Sequence, residues 1–385
     1  TDLVTYTARV VPSLASLERD QWDLLDTADN PFLSYDFLEG LEQTGSIGPD
    51  SGWHPYHLTV FDGDQLLACA PTDAKDNSHG EFVFDWAWAD AYQRNGMAYY
   101  PKLLTGVPYT PVTGPRLLVR KGTQDGKELK DTLVRLAIQV CRDQGFSTWH
   151  CNFITDDDFE VIDRDGLLRR RDWQFHWENG GYRDFDQFLG RLRSRKRKSI
   201  RRERKRIADA GIGFEWRAGH ELDEAELDFV YDCYIDTFRN YGNYPALKPA
   251  FFRRVAAGLK DRFQVVFALR DQQRIAMAVF LAGGGKLYGR YWGCSQEIPG
   301  LHFETAYYQG IEFCIQNGIE VFESGAQGEH KIARGFLPTR TRSCHHVEHP
   351  VFRQAIGEHL EREKTWIDEY RQNLEAADPY RRDRQ

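Results

Sequence analysis

Between Leu287 and Phe336 the chain reads LYGRYWGCSQEIPGLHFETAYYQGIEFCIQNGIEVFESGAQGEHKIARGF, a stretch that few folds can hold. Leu287–Gly293 alternates in polarity, is rich in Tyr and Trp and is bounded by glycine, so it predicts a strand. Ser295–Gly300 is a loop ending in Pro-Gly. Leu301–Asn317 places Ala306, Ile311, Phe313, Cys314 and Ile315 at helical spacing, and Gly318 ends the helix. Ile319–Phe322 is a short strand, and Gly325–Gly328 is a turn. Strand, loop, helix, strand is an α/β crossover, in which ligands sit at strand ends and helix N-termini. Arg290, His302, Glu304, Glu329, His330 and Lys331 fall at those places.

A chain of 385 residues exceeds one ordinary core. The interval Glu178-Asn-Gly-Gly-Tyr182 suits a boundary, giving an N-terminal domain over 1–182 and a C-terminal domain over 183–385 that carries a basic helix and a terminal helix. The halves repeat one order of elements. HLTVFDGDQLLACAP, a hairpin across Asp62-Gly63, answers FQVVFALRDQQRIAMAVF in the second half. Lys127–Gln144 is a clear helix followed by a strand over Thr148–Phe153, and Glu81–Trp88 reads as an aromatic strand. No apolar run reaches membrane-spanning length, and the first residues do not form a signal peptide. Seven scattered cysteines without a CxxC pair suit a reducing cytoplasm.

Residues 191–206 read RLRSRKRKSIRRERKR, with eleven Lys or Arg against one Glu. The net charge is −8, so the rest of the chain carries −8 − 10 = −18. Like charges at helical spacing repel by a few tenths of a kcal/mol per pair, roughly, and a polyanionic partner relieves that cost. Leu192, Ser199, Ile200, Glu203 and Ile207 share one narrow face, and Arg191, Arg195, Lys198, Arg202 and Lys205 project away from it. An RNA backbone or a nucleotide diphosphate suits these cations. Arg195, Lys196, Lys198, Arg201, Arg202 and Lys205 are the candidate contacts. No helix-turn-helix, zinc-finger spacing or heptad points to DNA.

His302, Glu304, Glu329 and His330 do not have the spacing of a standard zinc site, and no GxSxG elbow, Walker loop or GxGxxG is present. Acid–base chemistry remains. Glu304 stands near a helix start and is the candidate proton acceptor, with His302 to orient it; a first-turn charge without a catalytic role is the competing reading. Arg290, Tyr291, Trp292, Glu329, His330 and Lys331 are candidate substrate contacts. In the first half, Asp85, Trp86, Tyr100 and Lys102 could hold an amino or peptide-like ligand, or could equally form an aromatic core.

The segments NPFLSYDFLEGLEQTGSIGP, FVFDWAWADAY, YYPKLLTGVPYTPVTGPRLL, FHWENGGYRDFDQFLGRLRSRKRKSIRRERK, LYGRYWG, LHFETAYYQGIEFCI and FESGAQGEHKIARGF together resemble the FemAB-like proteins of the GNAT acyltransferase superfamily. The resemblance runs from about Pro31 to Arg362. It implies an α/β fold of tandem GNAT-like domains, each a mixed twisted sheet flanked by helices. It also implies Fem-type transfer of an amino acid from aminoacyl-tRNA to the amine of a small molecule or peptide. Such ester-to-amide exchange is downhill and requires no cofactor. The loop Gln296-Glu-Ile-Pro-Gly-Leu301 lacks the Q/R-x-x-G-x-G/A pattern of acyl-CoA binding, and Pro299 has no N–H to offer. An acyl-CoA donor and a non-catalytic module that recognises a cell-wall precursor are the alternatives. Pro71-Thr72-Asp73 replaces an apolar-aromatic pair, which implies a more polar ligand in the first half.

Overall fold

The computed structural model describes residues 6–325 and 328–381; the side chain of Glu329 lies outside the described set. The chain packs as two compact units, Thr1–Asp172 with Arg340–Glu369, and Trp173–Thr339 with Tyr370–Gln385. The division follows Asp172, ten residues before the break expected at 182, and the segment 340–369 clusters with the first unit. Its long-range partners explain this. Strand residues 343–347 pair with Thr148–Asn152, and Phe352, Ile356 and Leu360 pack against Trp88, Tyr92 and Tyr99. Burial of that many apolar side chains outweighs chain continuity.

In the first unit, Thr7–Val11, His57–Asp62, Gln65–Ala70 and Leu118–Val119 form an antiparallel sheet in that spatial order. A second sheet runs from residues 343–347 through Thr148–Asn152, Lys102–Thr105 and Thr72–Lys75 to Trp53–Pro55. Lys102–Thr105 and Thr148–Asn152 are parallel, as a helical crossover requires. The crossover helix is Gly126–Gln144. Its Leu129, Leu133, Val134, Ala137 and Cys141 lie on one face and bury against Leu58, Val60, Ala68 and Trp149.

The second unit has the sheet order Ile212–Ala218, Phe263–Arg270, Gln273–Gly283, Lys286–Cys294, Val321–Glu323 and then residues 176–178. Every pairing is antiparallel except Lys286–Tyr288 with Val321–Glu323. The crossover runs over 301–317. Its apolar face, including Tyr308, Ile311 and Cys314, covers Trp177, Phe280, Leu287 and Phe322. Both units therefore carry a hairpin and a parallel pair joined by a helix.

Two local expectations change. Residues 81–85 form a loop and the helix Trp86–Arg94 begins inside the expected aromatic strand, with Trp88 and Tyr92 turned inward. The basic run does not form one helix with the residues before it: Phe185–Arg191 and Ser194–Asp209 are separate helices, because Leu192 leaves the helix to bridge Tyr380. Within the second helix Ile200 and Ile207 are buried, whereas Arg195, Lys198, Arg202 and Lys205 are exposed.

Candidate active site

Lys286–Cys294 and Val321–Glu323 stay paired for three residues only. Beyond Tyr288 the first strand continues along Gln273–Gly283 as far as Cys294, and the second ends at Glu323. The two parallel strands thus part and leave an open wedge. Gly289 stands at the parting point, where a Cβ would come within 3.3 Å of the Phe322 ring. Next to it the register against Val279–Phe280 slips by one, so Arg290 is the extra residue of a β-bulge. Bulges re-aim side chains and are common beside active sites.

The crossover helix begins at this wedge. Leu301–Phe303 is α-helical, Glu304–Tyr308 is a π-helical turn, and Gln309–Asn317 is α-helical again. Such turns are rare and are frequently found at functional sites. Around it the rings form a chain of contacts. His302 lies 5.0 Å from Trp292 and 5.4 Å from Tyr307, centroid to centroid. The Tyr307 hydroxyl meets His330 Nε2 at 3.1 Å. The Arg334 guanidinium sits 3.5 Å over the Phe303 ring.

Lys331 is 2% exposed. Its Nζ donates to the carbonyls of Ser324, at 3.0 Å, and Gly325, at 3.2 Å, directly after the strand Val321–Glu323. An ammonium has three N–H groups, so one has no acceptor among the described residues. Burial pushes Lys331 down to about 8. Burial, reinforced by His330, Lys331 and Arg334, takes His302 down to about 4. His330 moves down as well, chiefly through burial, and burial raises Tyr307 to about 12. At neutral pH the wedge therefore holds two neutral imidazoles, a neutral phenol and a lysine still largely protonated.

Glu304, expected as the proton acceptor, turns away from this group. It is 3% exposed, both its oxygens accept from Arg204, and Oε1 also accepts from Gln309 at 2.8 Å. It lines a separate cavity of about 520 Å³ with Arg201, Arg204, Lys205 and Glu312. Its lone pairs are engaged in holding the basic helix. That is a correction with a steric cause: the π turn places Glu304 and Tyr307 on different sides of the helix, and Arg204 fills the side that Glu304 faces.

The other expected contacts divide. His302, Trp292, His330 and Lys331 come together. Tyr291 packs as a core ring, 5.2 Å from Tyr234 and 5.8 Å from Phe252. The Arg290 guanidinium lies 5.5 Å from the centroid of the Tyr291 ring. Sequence reasoning did not single out Tyr307 or Glu323. Glu323 is buried where the strands part, 2.8 Å from Lys286 Nζ and 3.8 Å from His176. Only the register of the parallel pair brings it there.

In the first unit Asp85 and Lys102 do meet, but in the interior. Lys102 is fully buried and donates to Glu81, at 2.7 Å, to Ser78, at 2.9 Å, and to Asp85. Tyr99 donates to Asp85 and also meets His150 Nε2 at 3.1 Å. Burial pushes the Asp85 carboxyl up, but Lys102 and His150 outweigh it and hold Asp85 at about 2. For Glu81 burial wins and the carboxyl rises to about 7. Lys102 thus engages its three N–H groups with Ser78, Glu81 and Asp85, whereas Glu81 Oε1 and Asp85 Oδ1 have no hydrogen-bond partner among the described residues, and all three side chains lie in the interior. Tyr100 is half-buried against Ser78, at 2.7 Å, and Trp86 is exposed beside His79. Asp73 is likewise buried and does not offer a polar pocket.

Against this geometry the comparisons are specific. The family model for peptidoglycan biosynthesis/recognition, FemAB-like, matches residues 13–382. The chain belongs to the FemAB-like family. The FemAB-like chain is also similar in structure to FemX, at a TM-score of 0.53 and 10% identity over 92% of this chain and 100% of that one. It is similar to the C-terminal domain of a putative lysylphosphatidylglycerol synthetase from Agrobacterium fabrum, at a TM-score of 0.52 and 11% identity over 85% and 90%. A tandem GNAT protein from the clavulanic acid biosynthesis pathway aligns at 0.41 and 12% identity over 90% and 99%. No curated protein matches in sequence. The fold is thus a mixed α/β fold shared with FemX, in a family of peptidoglycan biosynthesis and recognition. Among the described residues no helix is long and apolar enough to cross a membrane.

Proposed function

We propose that the FemAB-like chain is an N-acyltransferase that forms an amide by moving an amino acid from aminoacyl-tRNA to the amine of a small molecule or peptide. The observation that carries this reading is Lys331, a buried cation with one N–H unengaged among the described residues, at the end of a parted parallel strand pair. A cation kept in a dry site costs about 3 kcal/mol for a depression of this size. The developing oxyanion of an acyl-transfer intermediate would repay it.

The acceptor amine attacks the ester carbonyl, forming the C–N bond and an oxyanion that takes the free N–H of Lys331. Neutral His330, positioned by the Tyr307 hydroxyl, takes the amine proton and returns it to the ribose oxygen as the C–O bond breaks. His302, held between Trp292 and Tyr307, orients that pair. Bringing two bound reactants together supplies much of the rate. Arg290 and Trp292 border the wedge on the acceptor side, with Glu329 in the neighbouring turn. Glu304 anchors the basic helix through Arg204 and so positions the cations that would meet the RNA. Among the described residues Arg195, Lys196, Lys198 and Arg202 make no ion pair, whereas Arg201 pairs with Asp186 and Lys205 with Asp209.

The test supplies the purified chain with a mixed pool of amine acceptors and either aminoacyl-tRNA or acyl-CoA, and reads the acceptor mass. A gain of one amino-acid residue with tRNA alone supports the proposal. A gain of one acyl group with acyl-CoA alone replaces it with the coenzyme-dependent reaction. Tight acceptor binding with no mass change makes the chain a recognition module.

A further inference from the structure

The helix Ser194–Asp209 is charged against its own dipole. Its N-cap is Arg193, with no side-chain cap, and the first turn contains Arg195 and Lys196 and no acidic residue. Positive charge at a helix N-terminus is unfavourable, and Ser, Asp or Glu is the usual choice there. The first intrahelical bond is Arg197 N–H to the Arg193 carbonyl, at 3.0 Å, so the N–H groups of residues 194–196 have no helical acceptor.

This end of the helix borders a cavity of about 550 Å³. Arg193, Arg195, Lys196, Ser199, Glu203 and Arg334 line it, with Ile200, Ala333 and Tyr308 as its apolar part. Four cations thus face one carboxylate. Glu203 is already engaged, accepting from Arg334 at 3.2 Å and from the Tyr308 hydroxyl. Arg193 donates its Nε–H to the Tyr380 carbonyl, and Arg193, Arg195 and Lys196 have no acidic partner among the described residues. Arg334 is 8% exposed, and its Nε has no hydrogen-bond partner. Its Nη1 donates to the His330 carbonyl at 2.9 Å, so one side chain touches both this cavity and the wedge.

We propose that this cavity is a discrete phosphate-ester site, formed by Arg193, Arg195, Lys196, Arg334 and the free N–H groups of residues 194–196. It is distinct from the outer face of the same helix. An anion there would neutralise the reversed helix end and satisfy the first-turn donors. The apolar part of the cavity would take the organic portion of the ester. The proposal rests on the acyltransferase reading only for the source of the phosphate, which an RNA donor and a coenzyme A donor could both supply.

Calorimetric titration of the full chain with inorganic pyrophosphate tests it. Pyrophosphate is expected to bind the unaltered chain, and Arg195→Gln with Lys196→Gln to weaken it at least tenfold. Arg206→Gln, on the same helix but outside the cavity, is expected to change affinity less than twofold. All these positions are solvent-facing, and thermal melting checks that the variants fold. A 5′-phosphorylated RNA trinucleotide or coenzyme A is then titrated in competition. Displacement by either supports the site and names the source. No pyrophosphate binding, an equal loss in Arg206→Gln, or displacement by neither ester overturns it. Turnover with aminoacyl-tRNA can fail while pyrophosphate still binds here, so the two proposals fail separately.

Discussion

Arg204 grips Glu304 through both Nε and Nη2, at 3.1 and 2.9 Å, across one hundred residues of sequence. The pair links the basic helix to the π turn that opens the crossover helix. In the proposed mechanism Glu304 holds that helix in place and proton transfer falls to His330. Glu304→Gln is therefore expected to cost about 2 kcal/mol of stability in urea unfolding, since it strips a half-buried guanidinium of its main partner. The turnover of the folded fraction is expected to stay within threefold. A hundredfold loss of turnover at unchanged stability would return Glu304 to the chemistry.

The pH dependence of turnover follows from two groups acting in opposite protonation states. In the proposed mechanism His330 is the neutral base, and burial places its titration below the ordinary histidine value. Lys331 acts as the cation and loses its proton through about pH 8. Turnover is expected to level off below neutrality and to decline above pH 8. Lys331→Arg is expected to remove the alkaline decline, because a guanidinium stays charged. An alkaline limb that persists in Lys331→Arg would assign it to another group.

Asp73 provides a stability test free of catalysis. It is fully buried, Oδ1 has no hydrogen-bond partner, and burial raises its carboxyl from 3.8 to about 7 against the opposing pull of His57. A carboxyl with a raised folded value favours the protonated form. The stability it supports is complete below pH 3.8 and is lost as the pH rises through 7. Asp73→Asn, uncharged throughout, is expected to stabilise the protein by about 2 kcal/mol at pH 8 and by little at pH 4. Denaturant titrations at the two pH values check this, and an equal effect at both would contradict it.

The sequence made the local elements legible and left the non-local ones hidden. The hairpin across Asp62-Gly63, the helix Lys127–Gln144 and the crossover over 287–323 follow from periodicity, turn chemistry and glycine stops. The pairing of Lys102 with Glu81 and Asp85 does not, since it depends on where two strands and a loop meet. The same Lys and Asp could have walled a ligand pocket, and only their burial decides against it. The return of 340–369 to the first unit was invisible because apolar residues on a strand and a long helix do not say which core they join. The helix break at Leu192–Arg193 was masked by uninterrupted helix-forming residues. For the wedge, His302, His330 and Lys331 were readable as polar residues at strand and helix ends. Tyr307 looked like one more apolar helix position.

The cations on the outer face of the basic helix give a salt-sensitive expectation. Lys198→Glu with Arg202→Glu is expected to weaken tRNA binding at least tenfold and to flatten its dependence on salt, since fewer counterions are released. Filter binding at two salt concentrations reads both quantities. An unchanged affinity and salt slope would remove RNA from that face.

The central claim is that the ammonium of Lys331 stabilises the oxyanion formed in the wedge. The most direct measurement is the single-turnover rate of amide formation for Lys331→Met against the unaltered chain, with donor and acceptor both saturating. The account predicts a fall of about 100- to 1,000-fold, the usual effect of losing one oxyanion donor, with acceptor affinity nearly unchanged. A rate within threefold of the unaltered chain would contradict it.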